Sequence, residues 1–177
     1  MKNIVYIGTS WDGFIATLDG GVDWLNSIPN PDQSDYGFQD FMDSIDAVVM
    51  GRKTYEKVLS FDCPWPYSKK VFVLSHTLKS IDSKLTDQVE LMSGDIRDIV
   101  KKLNDLGYKN LYIDGGATIQ SFLDLNLIDE MIITQVPVIL KEGIPLFKNH
   151  DHEAKFALSR TQDLGSGILK SFYVKVC

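Results

Sequence analysis

The sequence contains few of the residues on which disulfide frameworks and metal sites depend. Of its 177 residues, two are cysteines, Cys63 and Cys177, and three are histidines. Two cysteines are too few for a disulfide scaffold or for a cysteine-rich zinc site. His150 and His152 lie two positions apart in a polar loop, where they do not share a helix face, so we expect no metal site.

Long apolar runs and an excess of basic residues are also missing. The longest apolar runs, such as 136–140, fall far short of the roughly 20 residues that a membrane span needs. The N-terminus enters a strand-like pattern at once, so we expect no signal peptide. The 18 basic and 24 acidic side chains give a net charge of −6, whereas a nucleic-acid binder usually carries a basic face. We therefore expect one cytoplasmic domain, residues 1–177, that binds neither membranes nor nucleic acid.

Short apolar segments alternate with amphipathic ones along the chain, as they do in proteins with a parallel sheet. Nearly all-apolar runs such as 46–50 and 71–75 are typical of strands that are buried on both faces. The clearest helix is 95–106, whose apolar residues recur at i, i+3, i+4 and i+7. Residues 156–161 and 169–176 predict an antiparallel hairpin. The sequence therefore predicts an α/β fold with a mainly parallel sheet and an antiparallel C-terminal hairpin.

Prolines set further element boundaries. Pro29 and Pro31 exclude a helix interior around them, so the next helix is predicted to begin near Ser34 or Asp35. Further along, Met131–Leu140 predicts a long strand around Pro137. This segment and the C-terminal hairpin also offer an apolar surface for a two-fold homodimer.

Glycine and polar residues follow three of the predicted buried strands. In open α/β sheets, ligands bind beyond the carboxyl ends of the strands. Gly51 and the Gly115-Gly116 pair each precede a predicted helix, whose free N–H groups attract phosphate. Neither turn fits the Gly-x-Gly-x-x-Gly fingerprint or a P-loop, so a dinucleotide site here differs from the usual Rossmann type. The alternative is that these are polar turns in which glycine only relieves strain.

Seven short motifs, given in chain order at the end of this paragraph, together resemble those of a known family. The chain resembles the dihydrofolate reductase superfamily, and more closely the stand-alone proteins related to the RibD C-terminal reductase domain of riboflavin biosynthesis. The resemblance covers nearly the whole chain and implies a three-layer sandwich of the dihydrofolate reductase type. The motifs are Trp11–Ala16, Asp23–Leu25, Met50–Glu56, Leu74–Ser75, Asp114–Ala117, Leu127–Glu130 and Gly143–Phe147.

The same resemblance implies NADPH as the hydride donor. The implied sites are a pyrophosphate and adenosine-phosphate site, a 2′-phosphate site, and a border of the nicotinamide. His76 stands where relatives often have Arg, so NADH stays open as the donor. Ala117 replaces the third glycine of the dihydrofolate reductase turn, which suits the riboflavin-type branch. The implied cofactor-binding residues are Gly51, Arg52, Lys53, Thr54, Ser75, His76, Gly115, Gly116, Ala117, Thr118 and Ala16.

On the substrate side, the resemblance places Asp35 at the position of the acid that binds a pterin ring and Thr134 at the position of its supporting hydroxyl. The alternative for Asp35 is a helix cap, since it follows a serine at a predicted helix start. Asp129 and Glu130 are further candidate acids, and no basic residue is assigned to a substrate phosphate. We expect a reductase of a small heterocycle, either pterin-like or ribosylamino-pyrimidine-like. The second hypothesis is a non-catalytic nucleotide- or pterin-binding module on the same fold.

Overall fold

A computed structural model describes residues 1–30, 32–148 and 153–176. An eight-stranded sheet forms the centre, and a two-stranded sheet of β2 and β8 lies beside it. The strands are β1 (Lys2–Thr9), β2 (Phe14–Ala16), β3 (Ala47–Gly51), β4 (Lys70–Leu74), β5 (Val89–Met92), β6 (Asn110–Asp114), β7 (Glu130–Gln135), β8 (Ile144–Pro145), β9 (Phe156–Asp163) and β10 (Leu169–Lys175). The helices are α1 (Phe38–Ser44), α2 (Arg52–Leu59), α3 (Ile96–Asp105) and α4 (Gly116–Asp124), with 3-10 turns at Asp23–Asn26 and Ser83–Leu85.

The order of the central sheet is β5-β4-β3-β6-β1-β7-β10-β9. The six strands from β5 to β7 run parallel, whereas β10 is antiparallel to both β7 and β9. This confirms the predicted mainly parallel sheet with an antiparallel C-terminal hairpin. Because parallel strands end at the same edge, the loops that follow β3, β4, β5 and β6 meet there.

Helices cover both faces of this sheet and give the three layers that the resemblance implied. On one face, α3 and α4 bury Leu103 and Phe122 against strand residues such as Val5. On the other face, α1 and α2 bury Met42 and Tyr55 against the alternate strand residues. Alternating side chains of a strand point to opposite faces, so continuous apolar runs are what two covered faces require.

Two predicted boundaries are wrong by a few residues. Helix α1 begins at Phe38 because Tyr36 and Gly37 adopt left-handed conformations, with φ of 53° and 78°. Strand β7 ends at Gln135, before Pro137, which has no N–H to donate to a neighbouring strand. The clearest predicted helix, 95–106, is observed as α3 with the Asp95 side chain capping its first turn.

Candidate functional site

A cleft of about 430 Å³ opens at the carboxyl edge of the sheet, above the ends of β3, β4 and β5. The cleft brings together most of the residues predicted to bind a cofactor. Those that line it are Gly51, Arg52, Lys53, Thr54, Ser75, His76, Ala117 and Thr118. The sequence did not single out the far side of the cleft, which Met92, Ser93 and Gly94 form.

The two glycine turns at this cleft interlock with threonines from each other's helices. A Cβ atom on Gly115, whose φ is 87°, would overlap the Oγ1 atom of Thr54 in α2. A Cβ atom on Gly51 would lie 2.9 Å from the Oγ1 atom of Thr118 in α4. Both positions therefore need glycine for close approach, and Gly115 also needs it for its left-handed backbone.

Two helices begin at this cleft without a side-chain cap. Helix α2 follows Gly51 and α4 follows Gly115, and neither helix has a side-chain capping hydrogen bond at its start. Helix α3 begins nearby but is capped, because the Asp95 carboxylate accepts from the Arg97 N–H at 2.8 Å. The first amides of an uncapped helix carry partial positive charge and lack acceptors, so two such ends at one cleft favour an anionic ligand.

The cationic and polar side chains of the cleft are arranged by short local bonds. Ser75 Oγ accepts from the N–H groups of Thr77 at 3.1 Å and Leu78 at 2.9 Å, which shapes the loop that carries exposed His76. The Arg52 guanidinium lies 3.2 Å from Glu56 in an exposed i,i+4 ion pair. Such a pair contributes at most about 1 kcal/mol, so it leaves Arg52 free to bind an anion instead.

The other three predicted cofactor residues, Ala16, Gly115 and Gly116, are not among those that line the cleft. Ala16 is buried in β2, and a Cβ atom on Gly116 would lie 2.5 Å from Cδ1 of the neighbouring Ile15. Strand β2 therefore lies against Gly116, the first residue of α4.

Asp35 lies in an exposed position and caps α1. Its two carboxylate oxygens accept from the N–H groups of Gly37 and Gln39, both at 2.8 Å. These backbone bonds, that of Gln39 first, lower the pKa of the Asp35 carboxyl. Thr134 lies on β7 in the partly exposed part of the sheet, directly opposite Lys170 of β10. The geometry thus favours the cap, the alternative role of Asp35, over a buried carboxylate paired with Thr134.

The other two candidate acids lie at the opposite edge of the sheet. Asp129 accepts from the Asn3 N–H at 2.7 Å, and Glu130 pairs with Lys2 at 2.5 Å. Both residues lie at the amino-terminal end of β7, and their partners lie at the amino-terminal end of β1. Neither residue therefore reaches the cleft at the carboxyl ends of the strands.

Asp114 is a partly buried acid to which the sequence assigned no role. It ends β6, directly before the Gly115 turn, and its Oδ2 atom accepts from the Tyr67 hydroxyl at 2.6 Å. Burial raises the pKa of the Asp114 carboxyl, although the hydrogen bond from Tyr67 acts in the opposite direction. In the sequence, the one indication of this residue was an acid at the end of a predicted buried strand. Its partner Tyr67 comes from a distant segment, so the sequence alone could not reveal the hydrogen bond.

Across the described ranges, no helix is both long and apolar enough to cross a membrane. No group of three or more metal-binding side chains occurs within them. The predicted absence of metal at His150 and His152 lies outside the described residues.

Comparisons with known proteins show the family over nearly the whole chain and relate the fold to solved structures. The family model of the RibD C-terminal domain matches residues 2–170. The uncharacterized protein YwjB of Bacillus subtilis (strain 168) is 36% identical over 169 residues, which cover 94% of each chain. A crystal structure from Shewanella sp. PV-4, provisionally named a riboflavin biosynthesis protein, is 46% identical with a TM-score of 0.97, over 100% of both chains. Dihydrofolate reductase from Enterococcus faecalis, solved as a complex with NADP(H), shares the fold at 14% identity and a TM-score of 0.68, over 99% of this chain and 97% of that one.

Proposed function

This chain belongs to the RibD C-terminal domain family, and from that premise we propose that it is an NADPH-dependent reductase of a small heterocycle. The observation that carries the proposal is the pair of uncapped helix starts, α2 and α4, at one cleft beyond the carboxyl ends of the strands. Two such ends offer amides to both phosphates of a dinucleotide. The NADP(H) complex of the Enterococcus faecalis enzyme, which shares this fold, supports a nicotinamide cofactor.

Each part of the dinucleotide is assigned to a different group of residues at the cleft. The amides that follow Gly51 and Gly115 would hold the pyrophosphate. Arg52 and Lys53 would add positive charge for the adenosine phosphate, and the loop of Ser75 and His76 would meet the 2′-phosphate. Ala16, Gly116, Ala117, Thr54 and Thr118 complete the proposed contacts, with Ala16 bordering the nicotinamide. NADH is the alternative donor, since His76 carries less positive charge than an arginine would.

The bound nicotinamide would supply the hydride, and the chain's own residues would orient the substrate and supply a proton. Reduction of a C=N bond takes up one hydride and one proton. Asp114 suits the proton donor, because its pKa is raised and it directly precedes Gly115, the residue from which α4 begins. Tyr67 would keep the carboxyl group oriented, and Thr134 would contribute a hydroxyl to the substrate side.

The activity test mixes the protein and NADPH with a panel of pterins and ribosylamino-pyrimidines and follows absorbance at 340 nm. We expect oxidation of NADPH with at least one member of the panel. Asp114→Asn should lower kcat by about 10²- to 10⁴-fold, the usual contribution of a general acid, with dinucleotide affinity unchanged. Asp129→Asn is the matched control, because it removes a carboxylate at the opposite edge. Equal kcat values for wild type and Asp114→Asn would contradict the role of Asp114.

The second candidate function is a non-catalytic nucleotide- or pterin-binding module. The exposed, capping position of Asp35 favours it, because the acid that the resemblance implied is occupied by backbone amides. Firm dinucleotide binding without turnover on the whole panel would select this candidate over the reductase.

We propose that, if the protein forms a homodimer, the C-terminal hairpin of β9 and β10 provides the contact surface. Residues Met131–Gln135 of the predicted surface are paired between β1 and β10 and are not available to a partner. The hairpin keeps exposed Leu158 and Val174 near the edge strand β9. Light scattering tests the dimer, and a monomeric mass would remove it. A cytoplasmic location stays a prediction.

A further inference from the structure

Lys170 is a charged side chain buried on the sheet face that α1 and α2 cover. It is 3% exposed and stands opposite Thr134 in the pairing of β10 with β7. Within the described part of the chain, no carboxylate lies within 4.0 Å of its ammonium group. Burying an ammonium group without an ion pair costs free energy of folding. The groups that this charge stabilises therefore have to offset that cost.

The ammonium group holds one backbone carbonyl together with a tyrosine. Lys170 Nζ donates to the Tyr36 carbonyl oxygen and, at 2.9 Å, to the Tyr6 hydroxyl oxygen. The Tyr6 hydroxyl in turn donates to the same Tyr36 carbonyl at 3.1 Å. Nζ also lies 5.0 Å from the centre of the Tyr6 ring, within the range of a cation–π interaction.

The carbonyl that Lys170 holds belongs to a backbone that needs support. Tyr36 has a left-handed φ of 53°, which is unfavourable for a residue with a side chain. Gly37 follows with a φ of 78°, and a Cβ atom there would lie 3.4 Å from Lys170 Nζ. The next residue, Phe38, begins α1 and packs edge-on against Tyr6 at a ring separation of 5.7 Å. The position of α1 over the sheet therefore depends on these contacts.

We propose that Lys170 is a positioning residue of the substrate side, which anchors residues 35–37 and the start of α1 over Thr134. The inference rests on the proposed function, because it assumes that a heterocycle binds between this segment and the carboxyl edge of the sheet. The anchored segment would form one wall of the substrate side, while the dinucleotide cleft lies above β3, β4 and β5.

Three charged residues surround Lys170 and affect its ammonium group: Arg160, Asp35 and Asp40. Burial lowers the pKa of the Lys170 ammonium, and the positive charge of Arg160 on β9 acts in the same direction. Asp35 and Asp40, on the segment being held, act against this shift and favour the charged form. The anchor and the segment are thus complementary in charge.

The test compares Lys170→Met, which keeps the side-chain length without the charge, with Lys170→Arg. Lys175→Met is the matched control, because Lys175 lies on the same strand and donates to the Asn126 carbonyl at 2.6 Å, away from the site. We expect Lys170→Met to raise the substrate KM at least tenfold with dinucleotide Kd within twofold of wild type. Hydrogen exchange of the Gly37 and Gln39 amides should accelerate at least tenfold, and Lys170→Arg should recover part of both effects.

The outcomes separate this inference from the proposed function. If the wild-type protein binds no dinucleotide, the proposed function fails, and the substrate role of Lys170 fails with it. If dinucleotide binds but Lys170→Met leaves KM and the exchange of both amides as in Lys175→Met, the inference about Lys170 alone is overturned. If Lys170→Met does not fold, Tyr6→Phe replaces it as the test. This substitution removes the hydroxyl that donates to the Tyr36 carbonyl and accepts from Lys170, and it should also raise the substrate KM. An unchanged KM in Tyr6→Phe would then contradict the anchor.

Discussion

The hydroxyl oxygen of Thr54 lies where a side chain on Gly115 would have to project. Thr54 belongs to the first turn of α2, and Gly115 is the residue from which α4 begins. The two helix starts are thus in contact, although they come from different β–α units. This contact fixes the relative position of the two sets of free amides that we assign to the dinucleotide.

Gly115→Ala should therefore damage both stability and binding. Alanine would have to adopt a φ of 87° and displace Thr54. We expect the free energy of unfolding to fall by roughly 2–4 kcal/mol from the two effects together. Dinucleotide affinity should also fall by at least tenfold, as measured by calorimetry under conditions where the variant is folded.

Gly107→Ala is the matched control for this substitution. Gly107 has a similar φ of 97°, but its added methyl group would meet no atom within 4 Å. We expect a loss of about 1–2 kcal/mol from the backbone alone, with dinucleotide affinity unchanged. The same loss of affinity in both variants would mean that the contact with Thr54 has no part in binding.

Asp35→Ala should lower stability without abolishing turnover. The substitution removes the acceptor for the Gly37 and Gln39 amides at the start of α1, and loss of such a cap typically costs about 1 kcal/mol. Urea unfolding measures the loss, and the 340 nm assay measures turnover. A loss of kcat by two orders of magnitude in a folded Asp35→Ala protein would instead favour Asp35 as the substrate-binding acid.

The stability that Asp114 contributes should fall as pH rises. Its folded pKa is raised above the ordinary 3.8, so the folded state keeps this proton over a pH range in which the unfolded state has lost it. The contribution is therefore fully present below 3.8 and is lost as pH rises through the folded pKa. The unfolding free energy of wild type should fall relative to that of Asp114→Asn from about pH 4 upward.

Asp35 provides the opposite slope as an internal control. Its folded pKa is lowered, so its contribution is present above the ordinary value and is lost as pH falls. If Asp114→Asn and Asp35→Asn changed the pH dependence in the same direction, the assignment of a raised pKa to Asp114 would be wrong.

His76→Arg should increase the preference for NADPH over NADH. His76 is exposed at the cleft, beside Ser75, where the resemblance places the 2′-phosphate. A guanidinium there would add a permanent charge and a two-point contact with phosphate. We expect the ratio of the two Kd values to rise about tenfold, or 1.4 kcal/mol. Equal gains for both dinucleotides would show that the loop meets another part of the cofactor.

Much of the fold could be predicted from the sequence because strand burial and helix periodicity are local signals. The turns at Gly51 and Gly115 were predictable for the same reason, since a glycine between a buried strand and a helix has few roles. The interlock of Thr54 with Gly115 was not predictable, because it joins segments that meet only through the sheet order.

The substrate side was less predictable because its residues depend on partners from distant segments. Asp114 appeared in the sequence as part of a turn, and only the fold shows that it is partly buried and accepts a hydrogen bond from Tyr67. Lys170 had an unremarkable place in a hairpin strand, and only the fold brings Tyr6 and Tyr36 to it. Asp35 was assigned by alignment with a family motif, which does not reveal that backbone amides occupy its carboxylate.

The most direct test of the central claim is a paired calorimetric titration of the protein with NADPH and NADH. Arg52→Ala should be titrated alongside, with Lys57→Ala at the other end of α2 as the control. We expect both dinucleotides to bind, NADPH more tightly than NADH, and Arg52→Ala but not Lys57→Ala to weaken the binding of both. Binding of neither dinucleotide at millimolar concentration would contradict the account, because the helix starts at Gly51 and Gly115 would then be features of the fold alone.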